Sequence, residues 1–217
     1  MPRLSIEFPK WLLDAFESSK TILIYGPEGS GKTNLVLTYI LTRLMESSSC
    51  RAVYVSTEGS SYMDRVRQLS LLDYGDRILF AEALDAIHLL SLVVRSLVIH
   101  TRTPLSIVAI DSINYHYRAE SSIHALKVFL TTLILLKALT HHGVQVLAVA
   151  QVREGEDDLE PSGFKYLHSW CDRVLRLYTI RGPHKRVCDE SRGRCQDFVI
   201  HYRGIQWLQS GKARDTS

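Results

Sequence analysis

Residues 26–33 read Gly-Pro-Glu-Gly-Ser-Gly-Lys-Thr and match G-x-x-x-x-G-K-[ST] at every fixed position. The stretch before them, Thr21-Ile22-Leu23-Ile24-Tyr25, is β-branched and apolar, as a buried parallel strand should be. The stretch after them, Asn34 to Glu46, reads as a helix that is apolar over most of its surface. Strand, glycine loop and helix in this order constrain the chain to an α/β fold. Gly26, Gly29 and Gly31 let the backbone turn tightly and approach an anion without Cβ clashes. Consecutive N–H groups and the positive end of the next helix then face phosphate. The expected ligands are ATP and Mg²⁺. The nucleotide-binding set is Gly26, Pro27, Glu28, Gly29, Ser30, Gly31, Lys32, Thr33 and Asn34, with Lys32 reaching the β- and γ-phosphates and Thr33 ligating the metal.

Two further strands end in polar side chains, where open α/β sheets keep their ligands. Ala52 to Ser56 leads to Glu58, and Ser106 to Ile110 leads to Asp111. Asp111 is the expected second holder of the Mg²⁺ shell. Ser112 follows it, where many phosphate-loop ATPases carry the water-activating Glu, so Glu58 is the best candidate for the base. Val144 to Ala150 reads as another strand, ending in Gln151, a neutral group suited to sensing the γ-phosphate. The catalytic set is thus Glu58, Lys32 and Gln151.

Helices are expected over 60–71, 85–101 and 121–142, with a short strand over 77–80 and a loop at Tyr115 to Arg118. The apolar run Val128 to Leu136 is shorter than a membrane span and is bounded by Lys127 and Lys137. With no basic-then-apolar leader at the N-terminus, a soluble cytoplasmic protein is expected. Residues 1–19 read as an N-terminal cap with a helix around Trp11 to Phe16, either covering the core or docking a neighbouring subunit. Arg153 to Lys165 reads as a polar loop, Phe164 to Trp170 as a short helix, and the tail as strands over 173–180, 198–202 and 205–208. Residues 209–217 are expected to fray.

The 217 residues make a single domain without repeats or linkers. The net charge of +3 is too small to name a partner, but its distribution is informative. Between residues 181 and 194, Arg181, Lys185, Arg186, Arg192 and Arg194 face only Asp189 and Glu190, an excess equal to that of the whole chain. This stretch is expected to project between strands. Cys188 and Cys195 flank a turn-like hexapeptide within it. Three states fit that spacing: free thiols, which a reducing cytosol favours for all four cysteines, Cys50 and Cys171 included; a local disulfide, towards which the scarcity of Asn (positions 34 and 114 alone) leans weakly; or a zinc site completed by His184 and His201.

The ordered pieces resemble the ATPase core of the RecA/RadA recombinases, above all the short single-domain RadA paralogues of archaea. The resemblance is carried by the glycine loop, Ser56-Thr57-Glu58, Ile110-Asp111-Ser112, His116-Tyr117-Arg118-Ala119-Glu120, Ala150-Gln151-Val152, and Leu167-His168-Ser169 leading into Arg173 to Tyr178. It spans about residues 20 to 208. It implies a RecA-like fold, a mainly parallel central sheet flanked by helices with antiparallel C-terminal strands. It implies that Glu58 is the general base, that Gln151 links the γ-phosphate to a DNA loop at 152–163, and that Arg118 opens a first DNA loop. The family's Gly-Arg-Gly is replaced by Ala119-Glu120-Ser121-Ser122, and the second loop carries five carboxylates, Glu154, Glu156, Asp157, Asp158 and Glu160, which repel a phosphate backbone. DNA contacts are therefore expected among Arg118, Arg153, Lys165, Arg181, Lys185, Arg186, Arg192 and Arg194.

The implied function is a slow, DNA-stimulated ATPase. It binds single-stranded DNA and modulates a RadA-type recombinase in recombinational repair, alone, with another paralogue subunit or as a homo-oligomer, associated with the nucleoid when on DNA. Two rivals stand beside it. One is a nucleotide-gated adaptor of the recombinase that docks through the apolar helices. The other is a small-molecule kinase using the 181–194 stretch as an Arg-rich lid.

Overall fold

A computed structural model describes residues 7–120, 122–152, 160–202 and 204–208. Helices are α1 (Lys10–Glu17), α2 (Lys32–Glu46), α3 (Tyr62–Gln68), α4 (Ala86–Arg102), α5 (Tyr115–Ala119), α6 (Ile123–His141) and α7 (Phe164–Trp170). Strands are β1 (Thr21–Gly26), β2 (Ala52–Ser56), β3 (Ile78–Glu82), β4 (Ile107–Asp111), β5 (Gln145–Gln151), β6 (Arg173–Arg181), β7 (His184–Asp189), β8 (Arg194–His201) and β9 (Gly204–Trp207). They form one sheet in the order β3-β2-β4-β5-β1-β6-β7-β8-β9. Pairing is parallel from β3 through β6 and antiparallel from β6 through β9. This is the expected sheet.

Period-two alternation divides the core. Ile22 and Ile24 join one apolar cluster with Leu35 and Ile40 of α2 and Leu12 and Phe16 of α1. Leu23 and Tyr25 point the other way, into a cluster with Leu89 of α4, Phe129 and Leu136 of α6, and Leu167 of α7. Both faces of the central strands are covered, which is why those strands read as continuous apolar runs. Helix starts follow local chemistry. The Asp85 carboxylate accepts from His88 N–H at 2.7 Å to open α4, and Ser122 Oγ accepts from Ala125 N–H at 3.0 Å to open α6. By length and composition α6 could cross a membrane. Here Phe129, Leu133, Leu136 and Leu139 are buried in the second cluster, as in a core helix. The N-terminal helix caps the first cluster, with Phe16 stacked on Tyr39 at 4.2 Å.

Several expectations need correction. Tyr115 to Arg118 is not a loop but the body of α5. The 181–194 stretch does not project, because residues 184–189 are β7, inserted between β6 and β8. Its basic residues do not form one patch either. Lys185 pairs with Thr179, three residues beyond Arg176, the partner of Tyr25, so it lies past the carboxyl ends of the parallel strands. The 190–193 turn returns to the level of Val174, which pairs with Leu23, and Arg194 pairs with Asp189. The two groups are therefore about 14 Å apart along the strand.

Cys188 and Cys195 face each other across β7 and β8 and are joined in a disulfide with an S–S distance of 2.02 Å. The free-thiol reading holds for Cys50 and Cys171 but not for this pair. The zinc reading fails for the same reason. Moreover, His184 pairs with Val199 at the other end of the hairpin, four residues from Cys188. Arg153 and the carboxylates at 154 and 156–158 lie outside the described residues, as do residues 1–6 and 209–217.

Candidate active site

The glycine loop closes between β1 and α2 and leans on the late strands. A Cβ on Gly26 would stand 2.3 Å from the Leu177 carbonyl oxygen of β6. A Cβ on Gly31, whose φ is +99°, would stand 2.9 Å from Ile200 Cδ1 of β8, with the Phe198 ring just behind. Both glycines are thus dictated by close approach. Lys32 is buried and donates from Nζ to the carbonyls of Gly26 and Pro27, each at 2.8 Å. Burial lowers its pKa to about 8, against the opposing pull of Asp111 and Glu58. Ser30 Oγ and Asn34 Oδ1 are buried without a hydrogen-bond partner among the described residues. Glu28 and Gly29 are exposed at the rim of the loop. Two loop glycines, Gly26 and Gly31, with no room for a Cβ, a buried cation and an orphaned hydroxyl on Ser30 fit a phosphate chain.

Thr33 and Asp111 meet as the sequence requires. Thr33 Oγ1 donates to Asp111 Oδ2 at 2.6 Å. The same carboxylate oxygen accepts from Tyr54 Oη at 2.7 Å. Burial raises the Asp111 pKa, while these two hydroxyls and Lys32 oppose the rise. A hydroxyl and a carboxylate converging at one point are a donor set of the hard-oxygen kind that Mg²⁺ prefers.

Glu58 is placed by its neighbour Thr57, which clips the ends of β2 and β4 together. Thr57 Oγ1 accepts from Ser112 N–H and donates to the Ser112 carbonyl, both at 2.8 Å. The Asp111–Ser112 peptide is cis. The Glu58 carboxylate is then held at both ends. Oε1 accepts from Ser112 Oγ at 2.8 Å, and Oε2 accepts from Gln151 Nε2 at 2.5 Å. Desolvation pushes its pKa up, with Ser112 opposing and the nearby Asp111 charge adding to the rise. Gln151 is the last residue of β5 and pairs with Gly26, which sets it beside the loop. Its Oε1 accepts from Arg118 Nη2 at 3.3 Å. The three separate strand ends of β2, β4 and β5 therefore deliver Glu58, Asp111 and Gln151 to one crevice, and Arg118 joins them from α5.

The other basic candidates lie elsewhere. Lys165 is on α7 over the Tyr166 ring. Arg186 is paired with Asp197 through two hydrogen bonds on the outer face of the hairpin. Arg181 and Lys185 lie beyond the carboxyl ends of the strands, and Arg192 and Arg194 at the far turn.

Three participants escaped the sequence reading. Tyr54 looks like a core residue of an apolar strand, and Thr57 like the polar residue that ends it. Arg65 of α3 lines the cleft beside Glu58 and Asp111 and donates to the His201 carbonyl at 2.7 Å. Its place in the first helix after Glu58, nine residues beyond the end of β2, was the only available signal for it.

No family model matches the chain. Curated relatives do. A DNA repair and recombination protein RadB of Methanocaldococcus jannaschii is 27% identical over 208 residues, covering 90% of this chain and 96% of the relative. One of Thermococcus gammatolerans is 31% identical over 201 residues, covering 84% and 87%. Among solved structures, a crystal structure of the RadB recombinase superposes with a TM-score of 0.70 at 23% identity, covering 91% of this chain and 96% of that one, and shares its fold. With the glycine loop, the Asp111 strand and the Glu58–Gln151 pair in place, these likenesses identify the chain as a member of the RadB family within the RecA/RadA superfamily.

Proposed function

We propose that this chain is a slow, DNA-stimulated ATPase that binds single-stranded DNA and tunes a RadA-type recombinase in recombinational repair, working in the cytoplasm and on the nucleoid. The observation that carries the reading is Glu58, fixed between Ser112 and Gln151 beside the Thr33–Asp111 pair. Lys32, freed from the loop carbonyls, binds and neutralises the β- and γ-phosphates. Thr33 and Asp111 hold Mg²⁺, which when bound neutralises further charge on those phosphates. Glu58, its basicity raised by burial, orients the attacking water and takes its proton. Gln151 stands between Glu58 and Arg118 and reports the state of the site to α5.

The test is ATP turnover with and without single-stranded DNA over a salt series. Stimulation that fades with salt is expected. Replacing Arg181 and Lys185 together with Ala should flatten the salt dependence of DNA affinity by about 0.7 in slope per lost phosphate contact. The same change at Arg192 and Arg194 should leave it unaltered, because they lie at the opposite end of the same strands. Turnover indifferent to DNA at every salt concentration would sink the reading.

A second reading, the adaptor, draws on an apolar cleft between α6 and α7 lined by Leu130, Leu133, Ile134, Tyr166 and Trp170, with Ile134 67% exposed. Co-purification with the recombinase and no DNA retention at low salt would favour it. The kinase reading loses its lid, since that stretch is a strand of the sheet.

A further inference from the structure

A closed ring of hydrogen bonds joins the end of β5 to the start of α5. Asn114 is 0% exposed. Its Nδ2 donates to the Gln151 carbonyl at 3.0 Å, and its Oδ1 accepts from the Gln151 N–H at 3.1 Å. Its own carbonyl accepts from the Arg118 N–H at 2.8 Å. Arg118 Nη2 then closes the ring on Gln151 Oε1 at 3.3 Å. One side chain thus satisfies both main-chain groups of Gln151. Only an amide presents a donor and an acceptor side by side in this way. Nδ2 also reaches the Ser162 carbonyl at 3.5 Å, where the chain returns to α7. Any rotation of the Gln151 backbone would leave a buried amide unpaired, so the Gln151 side chain is held with one end on Glu58 and the other on Arg118.

We infer that Asn114 is the positioning residue that makes the Glu58–Gln151 pair and the Arg118 helix act as one unit, coupling nucleotide state to DNA affinity. The inference rests on the ATP- and DNA-binding reading above.

The experiment measures the dissociation constant of a fluorescent oligo-dT strand with and without Mg²⁺ and a non-hydrolysable ATP analogue. The ratio of the two constants is the coupling, and the analogue's own affinity is measured in parallel. In Asn114→Ala the coupling should fall to within about twofold of unity while nucleotide affinity stays within about threefold of wild type. Asn114→Asp, which keeps the shape and the acceptor but removes the donor, should lose coupling in the same direction. Adding Arg118→Gln to either variant should cost no further coupling, because both changes cut the same ring. Retained coupling in these variants overturns the inference. So does a loss of nucleotide affinity in proportion to the coupling, or failure of both variants to fold, since each marks Asn114 as a support of the fold alone. A wild-type ratio of unity overturns the underlying reading and the inference together, whereas a wild-type ratio that survives in the variants overturns only the inference.

Discussion

Replacing Glu58 with Gln should do two things, and the hydrogen bonds of the site separate them. The first is chemical. An amide cannot take the proton of the attacking water, and loss of a positioned general base costs about 10²–10⁴-fold in rate, or about 3–5 kcal/mol of barrier. Nucleotide affinity should change little, because the described contacts of this carboxylate are with Ser112 and Gln151 rather than with the glycine loop. The second effect is orientational. Glu58 Oε2 accepts from Gln151 Nε2. An amide at position 58 that keeps its oxygen on the Ser112 hydroxyl presents an NH₂ to the NH₂ of Gln151. The least costly remedy is a flip of the Gln151 amide, which turns an NH₂ towards the Arg118 guanidinium and breaks that bond. Glu58→Gln should therefore bind ATP, fail to hydrolyse it, and also lose part of the nucleotide dependence of DNA binding. Phosphate release, equilibrium binding of a fluorescent ATP analogue and oligonucleotide anisotropy measure the three quantities. In the wild type, turnover should rise with pH through the raised Glu58 pKa and be lost below it, and the variant should lack that acid limb. A variant that hydrolyses ATP within about threefold of wild type would refute the assignment of the base.

Two further outcomes follow from buried charges. Lys32 titrates near pH 8 in the free loop, and phosphates beside it would restore its proton. Nucleotide binding at pH 9 should therefore take up a proton that binding at pH 7 does not, and calorimetry in buffers of different ionisation enthalpy that gives the same count at both values would refute this. Arg173 and Asp189 form an ion pair at 3.0 Å with side chains only 9% and 1% exposed, and Asp189 Oδ1 also accepts from the Ser191 N–H and Oγ. Asp189→Ala strands the guanidinium and should cost about 3–5 kcal/mol, lowering the melting temperature by about 6–20 °C, whereas Arg173→Met combined with Asp189→Leu should cost clearly less. A melting temperature unchanged in Asp189→Ala would show that the pair does not form.

The parallel half of the sheet was legible because burial on both faces leaves unbroken runs such as Ile107 to Ile110, and each run ends on the polar residue that the site uses. Glu58, Asp111 and Gln151 could be named for that reason alone. What joins them could not be read. Thr57 to Ser112 spans 55 residues, Asn114 to Gln151 spans 37 and Glu58 to Gln151 spans 93, and no local pattern encodes such contacts. The β7 strand was missed because its core face holds only Val187 and Asp189, and Asp189 is buried through a charge partner sixteen residues earlier rather than through apolar character. Its basic residues then read as a surface projection, although two register-paired neighbours, Arg186 with Asp197 and Cys188 with Cys195, belong to a regular ladder. Tyr54 illustrates the converse. Its ring does belong to the core, as expected of an apolar strand, and only its hydroxyl reaches the Asp111 carboxylate.

The wall behind the glycine loop has a consequence for biosynthesis. Leu177, Phe198 and Ile200, against which Gly26 and Gly31 are seated, are translated long after the loop itself. A nascent polypeptide that has emerged only as far as Gln151 already carries every side chain assigned to chemistry, yet it lacks the backing that shapes their cradle. If the crevice takes a triphosphate as proposed, a chain cut short by a premature stop before these strands should not capture it, and nucleotide binding would report that the last strands have docked.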